Sequence, residues 1–168
     1  NGTYTKVFEA LKGEVPIAIK KIKINKTEGM DNWMIRELEI MRYTNHPNVC
    51  KANRIEYLKG PDPTILIEMD KYVSSLDKTI LEPNLITSVI KDIACGLGYL
   101  HANNISHRDL KPSNIMLTKD NNAVIIDFNL AKLVLNDTHT PDICTMLYSS
   151  PEMLKSRNYN PFTHDVWS

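Results

Sequence analysis

His107-Arg108-Asp109-Leu110-Lys111-Pro112-Ser113-Asn114 is the stretch on which the reading turns. An Asp beside an attacking hydroxyl orients it and accepts its proton, a Lys two positions on balances charge on a migrating phosphoryl group, and an Asn five positions on offers an oxygen to Mg²⁺. The alternative is a polar turn whose Asp and Asn merely cap backbone groups. The setting weighs against it. Apolar residues recur at helical spacing over 85–102, and two short apolar runs at 115–117 and 124–126 flank a polar Asp120-Asn121-Asn122 turn, as in a small hairpin.

Upstream, apolar and polar residues alternate over 3–24 around a turn at 12–14, which predicts two antiparallel strands, the second through 16–22. Met34, Ile35, Leu38 and Met41 then fall at helical spacing within 30–43, and His46-Pro47-Asn48 closes that helix. Strands are expected at 55–58 and 64–69 around the Gly60-Pro61-Asp62-Pro63 turn, so a β-rich half precedes a helical one. Residues 132–149 show no sustained periodicity and read as one long loop, a length that is usually functional or disordered. The fold class is therefore α+β.

The octet at 107–114 resembles the catalytic loop of eukaryotic-type protein kinases, HRDLKxxN, with every fixed position present. Asp127-Phe128-Asn129 follows thirteen residues later, where that family carries DFG. The resemblance implies a bilobal kinase fold: an N-lobe of antiparallel sheet plus one helix over 1–69, and a mainly helical, partial C-lobe over 70–168. It implies Asp109 and Lys111 as catalytic residues, and Asn114 and Asp127 as Mg²⁺ ligands, with Phe128 packing inward to hold Asp127. Ile17-Ala18-Ile19-Lys20 resembles the VAIK strand, whose lysine meets the α- and β-phosphates of ATP. Its implied partner is Glu37, nine residues before His46.

By the same resemblance, Gly2-Thr3-Tyr4-Thr5-Lys6-Val7 is the tail of the glycine-rich loop, with Thr5 in place of its third glycine. Gly2 would then approach the phosphates, while Val7, Ala18 and Met116 sandwich adenine. Ile67 would be the gatekeeper, and Glu68, Met69 and Asp70 the hinge. Ser149-Ser150-Pro151-Glu152 resembles the APE motif, and Thr145, seven before Glu152, matches the threonine that in Ser/Thr kinases bonds the catalytic Asp and Lys. Thr138, His139 and Thr140 lie where activation loops are phosphorylated, with Thr140 the preferred acceptor and Arg108 its clamp. Asn129 replaces the DFG glycine, and asparagine is the next most tolerant residue for such a turn.

Gly2-Thr3-Tyr4, Ile35-Arg36-Glu37 and Leu147-Tyr148-Ser149-Ser150-Pro151-Glu152 are similar to the cyclin-dependent and mitogen-activated kinase group. A cyclin-like or other activating protein is an expected partner beside ATP and a protein substrate. Ser149 stands where that group has the arginine that helps select proline after the target residue. Asp165-Val166-Trp167-Ser168 opens a helix that in the family supports the catalytic loop, so a C-terminally truncated domain is expected. The competing readings are a pseudokinase or ATP-binding scaffold, suggested by Asn129 and Thr5, and a small-molecule phosphotransferase.

Composition sets the outer bounds. Over 168 residues, 20 basic and 20 acidic side chains give zero net charge, which argues against a dedicated nucleic-acid or polyanion binder. Lys21 and Lys23 read as the solvated face of a strand. No apolar stretch approaches a bilayer span and the N-terminus has no signal pattern, so no membrane partner and a cytoplasmic or nuclear location are expected. Cys50, Cys95 and Cys144 form no CxxC pair, which fits a reducing compartment.

Overall fold

A computed structural model describes residues 5–27, 29–134, 145–155 and 159–168. Strands β1 (Thr5–Lys12), β2 (Val15–Lys23), β3 (Arg54–Leu58) and β4 (Thr64–Asp70) form one antiparallel sheet in the order β1-β2-β4-β3. The β1–β2 turn needs a left-handed residue, and Gly13 supplies it at φ 63°. Ile22 on β2 and Ile65, Ile67 and Met69 on β4 alternate inward, and helix α1 (Asn32–Tyr43) covers them with Met34, Ile40 and Met41. The helix begins two residues later than periodicity places it.

The helical half is built on α2 (Pro83–Ala102), which starts earlier than expected because Pro83 is preset for the first helical turn. After it come β6 (Ile105–Ser106), β7 (Ile115–Leu117), β8 (Ala123–Ile125), β9 (Lys132–Leu133), α3 (Pro151–Lys155) and α4 (Pro161–Trp167). A short strand β5 (Ser74–Ser75) pairs with β7, and β7 with β8. The expected loop at 132–149 therefore opens on a strand: β9 pairs with β6, and Val134 N–H donates to Asn104 O at 2.7 Å. Residues 135–144, with the expected phosphosites Thr138, His139 and Thr140, lie outside the described residues, as do Gly2, Thr3 and Tyr4. The start of α4 is capped by Asn160, whose Oδ1 accepts from Phe162 N at 2.9 Å.

The two halves share one hydrophobic core, from Ile22 and Met34 through Val49 to Leu100, Ile125 and Phe128. The segment 48–50 joins them by backbone bonds: Ile125 N–H to Asn48 O at 2.9 Å and Cys50 N–H to Ile125 O at 2.8 Å. Helix α2 reaches this junction through Gly96. A Cβ there would stand 2.6 Å from Asn48 O, a backbone atom with no freedom to retreat. Gly96→Ala should therefore lower stability by about 1–3 kcal/mol despite alanine's better helix propensity. A urea midpoint equal to or above that of the natural protein would contradict this packing. Among the described residues no helix is long and apolar enough to cross a membrane.

Candidate active site

One buried carboxylate shapes the loop at 106–109. Asp165, on α4, accepts from Ser106 Oγ at 2.9 Å, His107 N at 2.8 Å, Arg108 N at 2.6 Å and His101 Nε2 at 2.9 Å. Burial would raise its pKa, but the hydrogen bond from His101, the nearby His107 and the Arg108 and His107 N–H groups prevail and hold it below the usual carboxylate range. Arg108 sits at φ 67°, a costly conformation for a residue with a Cβ, and the paired N–H groups around it keep it there. His107 Nδ1 accepts from Asp109 N at 3.3 Å, which leaves Nε2 as the donor to Ile126 O at 2.9 Å. Its ring stands edge-on to Phe128, centroids 5.5 Å apart.

Asp109 is fixed by three side chains. Its Oδ2 accepts from Lys111 Nζ at 2.6 Å and Asn114 Nδ2 at 3.0 Å, and its Oδ1 accepts from Thr145 Oγ1 at 2.6 Å. Lys111 Nζ also donates to Thr145 Oγ1 at 2.9 Å, so the hydroxyl gives its proton to Asp109 and takes one from Lys111. Thr145 thus stands where the sequence comparison placed it.

Asn114 and Asp127 come together because β7 and β8 pair. Ile126 N–H donates to Asn114 O at 3.0 Å, one residue before Asp127. Asn114 spends its amide nitrogen on Asp109 O at 2.8 Å and on the Asp109 carboxylate, leaving Oδ1 as the atom to offer a cation. Asp127 has φ 66°, while Asn129 is not among the positive-φ residues, so the position where the family has glycine needs no glycine here. Phe128 is fully buried. An amide oxygen and a carboxylate suit a hard cation such as Mg²⁺. Among the described residues no cluster of three or more His, Cys, Asp or Glu could hold a metal ion.

From the sheet side, buried Lys20 pairs with buried Glu37 of α1, Nζ to Oε1 2.5 Å. Burial raises the Glu37 pKa, Lys20 opposes the rise, and the charge of Asp127 adds to it. Arg36, the neighbour of Glu37, donates Nη1 to Ala131 O at 2.9 Å and so ties α1 to the segment after Asp127. Val7 lies opposite Lys20, and Ala18 two residues before it shares that sheet face. Met116 is the partly exposed residue of β7, between buried Ile115 and Leu117. At the end of β4, Glu68 Oε1 pairs with Lys12 at 2.7 Å, Glu68 O accepts from Asn53 N at 2.8 Å, and Asp70 Oδ1 accepts from Asn53 Nδ2 at 2.8 Å.

The segment after Thr145 is anchored on α4: Ser150 N–H donates to His164 Nδ1 at 3.2 Å, and burial lowers the His164 pKa. Sequence reasoning read 165–168 only as the opening of a supporting helix. It missed that Asp165 carries the loop, and it missed His101 and Ser106 altogether.

The protein kinase domain family model matches residues 1–168. The chain is 33% identical over 177 residues to a probable cell division protein kinase of Encephalitozoon cuniculi (strain GB-M1), covering 100% of this chain and 64% of that protein. It is 32% identical to a probable CTD kinase subunit alpha homolog of the same organism and 33% identical to cell division control protein 2 homolog 3 of Trypanosoma brucei brucei, covering 99% of this chain in both, and 51% and 56% of those proteins. The structure matches the crystal structure of a yeast RNA Pol II CTD kinase complex with TM-score 0.80 and 28% identity, over 92% of this chain and 52% of that one. The chain thus spans about half to two thirds of the length of these relatives.

Proposed function

Because the chain belongs to the protein kinase family, we propose that the protein carrying it transfers the γ-phosphate of ATP to serine or threonine of protein substrates. The observation that carries this reading is the Asp109–Lys111–Thr145 triangle, in which one carboxylate is aimed by an ammonium and a hydroxyl. A carboxylate so held orients the acceptor hydroxyl and takes its proton on an Asp109 oxygen, and Lys111 offsets negative charge on the phosphoryl group in flight. Lys20, held by Glu37, would steady the α- and β-phosphates. Val7, Ala18 and Met116 would enclose adenine, with the backbone of 68–70 along the adenine edge.

Asn114 and Asp127 would hold Mg²⁺, which when bound supplies positive charge to the phosphate oxygens. The division at 69/70 into an N-lobe and a C-lobe belongs to the same reading. So does an activating partner of cyclin type, for which α1 offers exposed Ile35 at 40% and Tyr43 at 76%. A nuclear or cytoplasmic site of action accords with relatives named for cell division and CTD phosphorylation.

The test is acceptor analysis after transfer from labelled ATP to a generic basic protein. Label should appear on serine and threonine, and predominant phosphotyrosine would reject the assignment. Thr145→Val keeps the shape but removes a hydrogen bond to a charged group from both Asp109 and Lys111. It should lower kcat about 10- to 100-fold with KM for ATP little changed. An unaltered kcat would mean that Thr145 only packs.

A further inference from the structure

The outer face of the sheet carries a feature that phosphate transfer does not use. Lys20 and Ile22 turn inward on β2, so Lys21 and Lys23 turn outward. The register sets Lys6 directly opposite Lys21 and Phe8 opposite Ile19. Lys6, Phe8, Lys21 and Lys23 together line a hollow of about 240 Å³. Like charges facing each other across a strand pair cost stability. Among the described residues, none of the three lysines has an ion-pair partner. The carboxylates on the same face are engaged elsewhere, Glu68 with Lys12 at 2.7 Å and Glu56 with Arg54 at 3.3 Å.

We propose that this hollow binds a phosphorylated side chain of a protein partner, with Phe8 packing on an apolar residue beside it. A phosphorylated residue brings a charge of about −1.5 to −2 and three acceptor oxygens on one compact group. Three ammonium donors around a concave space suit such a group better than a single carboxylate. Phe8, at 48% exposure, adds an apolar surface for which a free ion has no use. A nucleic-acid backbone fits less well, since its successive phosphates would run onto Glu56 and Glu68 on the same face. Because these residues face away from Lys20 and Glu37, the site is separate from the cleft, and the proposal stands apart from the assignment of the catalytic residues.

Fluorescence anisotropy with the protein carrying this chain tests it. The probe is a labelled peptide with one phosphoserine between leucines, compared with its unphosphorylated twin, a single-stranded oligonucleotide and inorganic phosphate. The phosphopeptide should bind at least about tenfold more tightly than its twin, and the double variant Lys21→Glu/Lys23→Glu should abolish that preference. Lys21→Gln should weaken it about threefold by removing one charge without reversing it. Phosphate transfer to a generic substrate should be the same in these variants as in the natural protein. Equal binding of the twin, undiminished binding by the double variant, stronger binding of the oligonucleotide, or displacement by inorganic phosphate as effective as by phosphopeptide would each overturn the proposal.

Discussion

Asp109→Asn should slow phosphate transfer by roughly 10²- to 10⁴-fold while leaving affinity for ATP nearly intact. Asparagine has the same outline, but its oxygen is a poor proton acceptor. The surroundings also reject it, because Oδ2 meets the donors Lys111 and Asn114 while Oδ1 meets the Thr145 hydroxyl. Turned toward Lys111 and Asn114 its NH₂ faces two donors, and turned toward Thr145 it obliges that hydroxyl to stop donating to it. Steady-state kinetics separates the cases: kcat should collapse with a modest change in KM. A kcat within a few fold of the natural value would remove Asp109 from the reaction.

The second large effect is on the loop itself. Asp165→Ala would leave the His107 and Arg108 N–H groups and His101 without their shared acceptor, while Ser106 Oγ keeps Pro161 O at 3.0 Å. Each buried donor left unmade costs about 1–3 kcal/mol, and partial relaxation should bring the total loss to roughly 3–5 kcal/mol. That is a large share of a domain's usual margin of about 5–15 kcal/mol, and Arg108 would lose the bond that holds its left-handed backbone. Urea unfolding and kcat should therefore fall together, with Asp165→Asn milder because one oxygen remains. Since the folded-state pKa of Asp165 is depressed, its contribution is fully present above the unfolded carboxylate value and disappears as pH falls through the folded one. The stability gap between the natural protein and Asp165→Asn should accordingly narrow in acid, below about pH 4. A pH-independent gap would refute this role for the charge.

What was legible in the sequence was what local chemistry encodes. Asp109, Lys111 and Asn114 stand on one loop at fixed spacing, and Ile65, Ile67 and Met69 alternate because one sheet face is buried. Lys20 and Glu37 were readable only as a pair belonging to a family pattern, since neither residue is unusual alone. The anchoring of the loop was not legible, because Asp165 lies 58 positions from His107 and its acceptor role exists only after α4 docks. Strand β9 escaped because two residues cannot show a period. Asn129 was read against a glycine whose freedom the chain does not need, the left-handed residue being Asp127. Lys21 and Lys23 looked like the solvated face of a strand until the register set Lys6 across from Lys21.

The hydrogen bond from Arg36 to Ala131 O links α1 to the segment behind Asp127. A helix drawn away from the sheet would take its grip on that segment with it and open the Lys20–Glu37 pair in the same movement. A state that keeps only one of these two contacts loses the contribution of the other. If nucleotide binds beside Lys20 as proposed, a partner that seats α1 from outside and the nucleotide would strengthen each other's binding by one common factor.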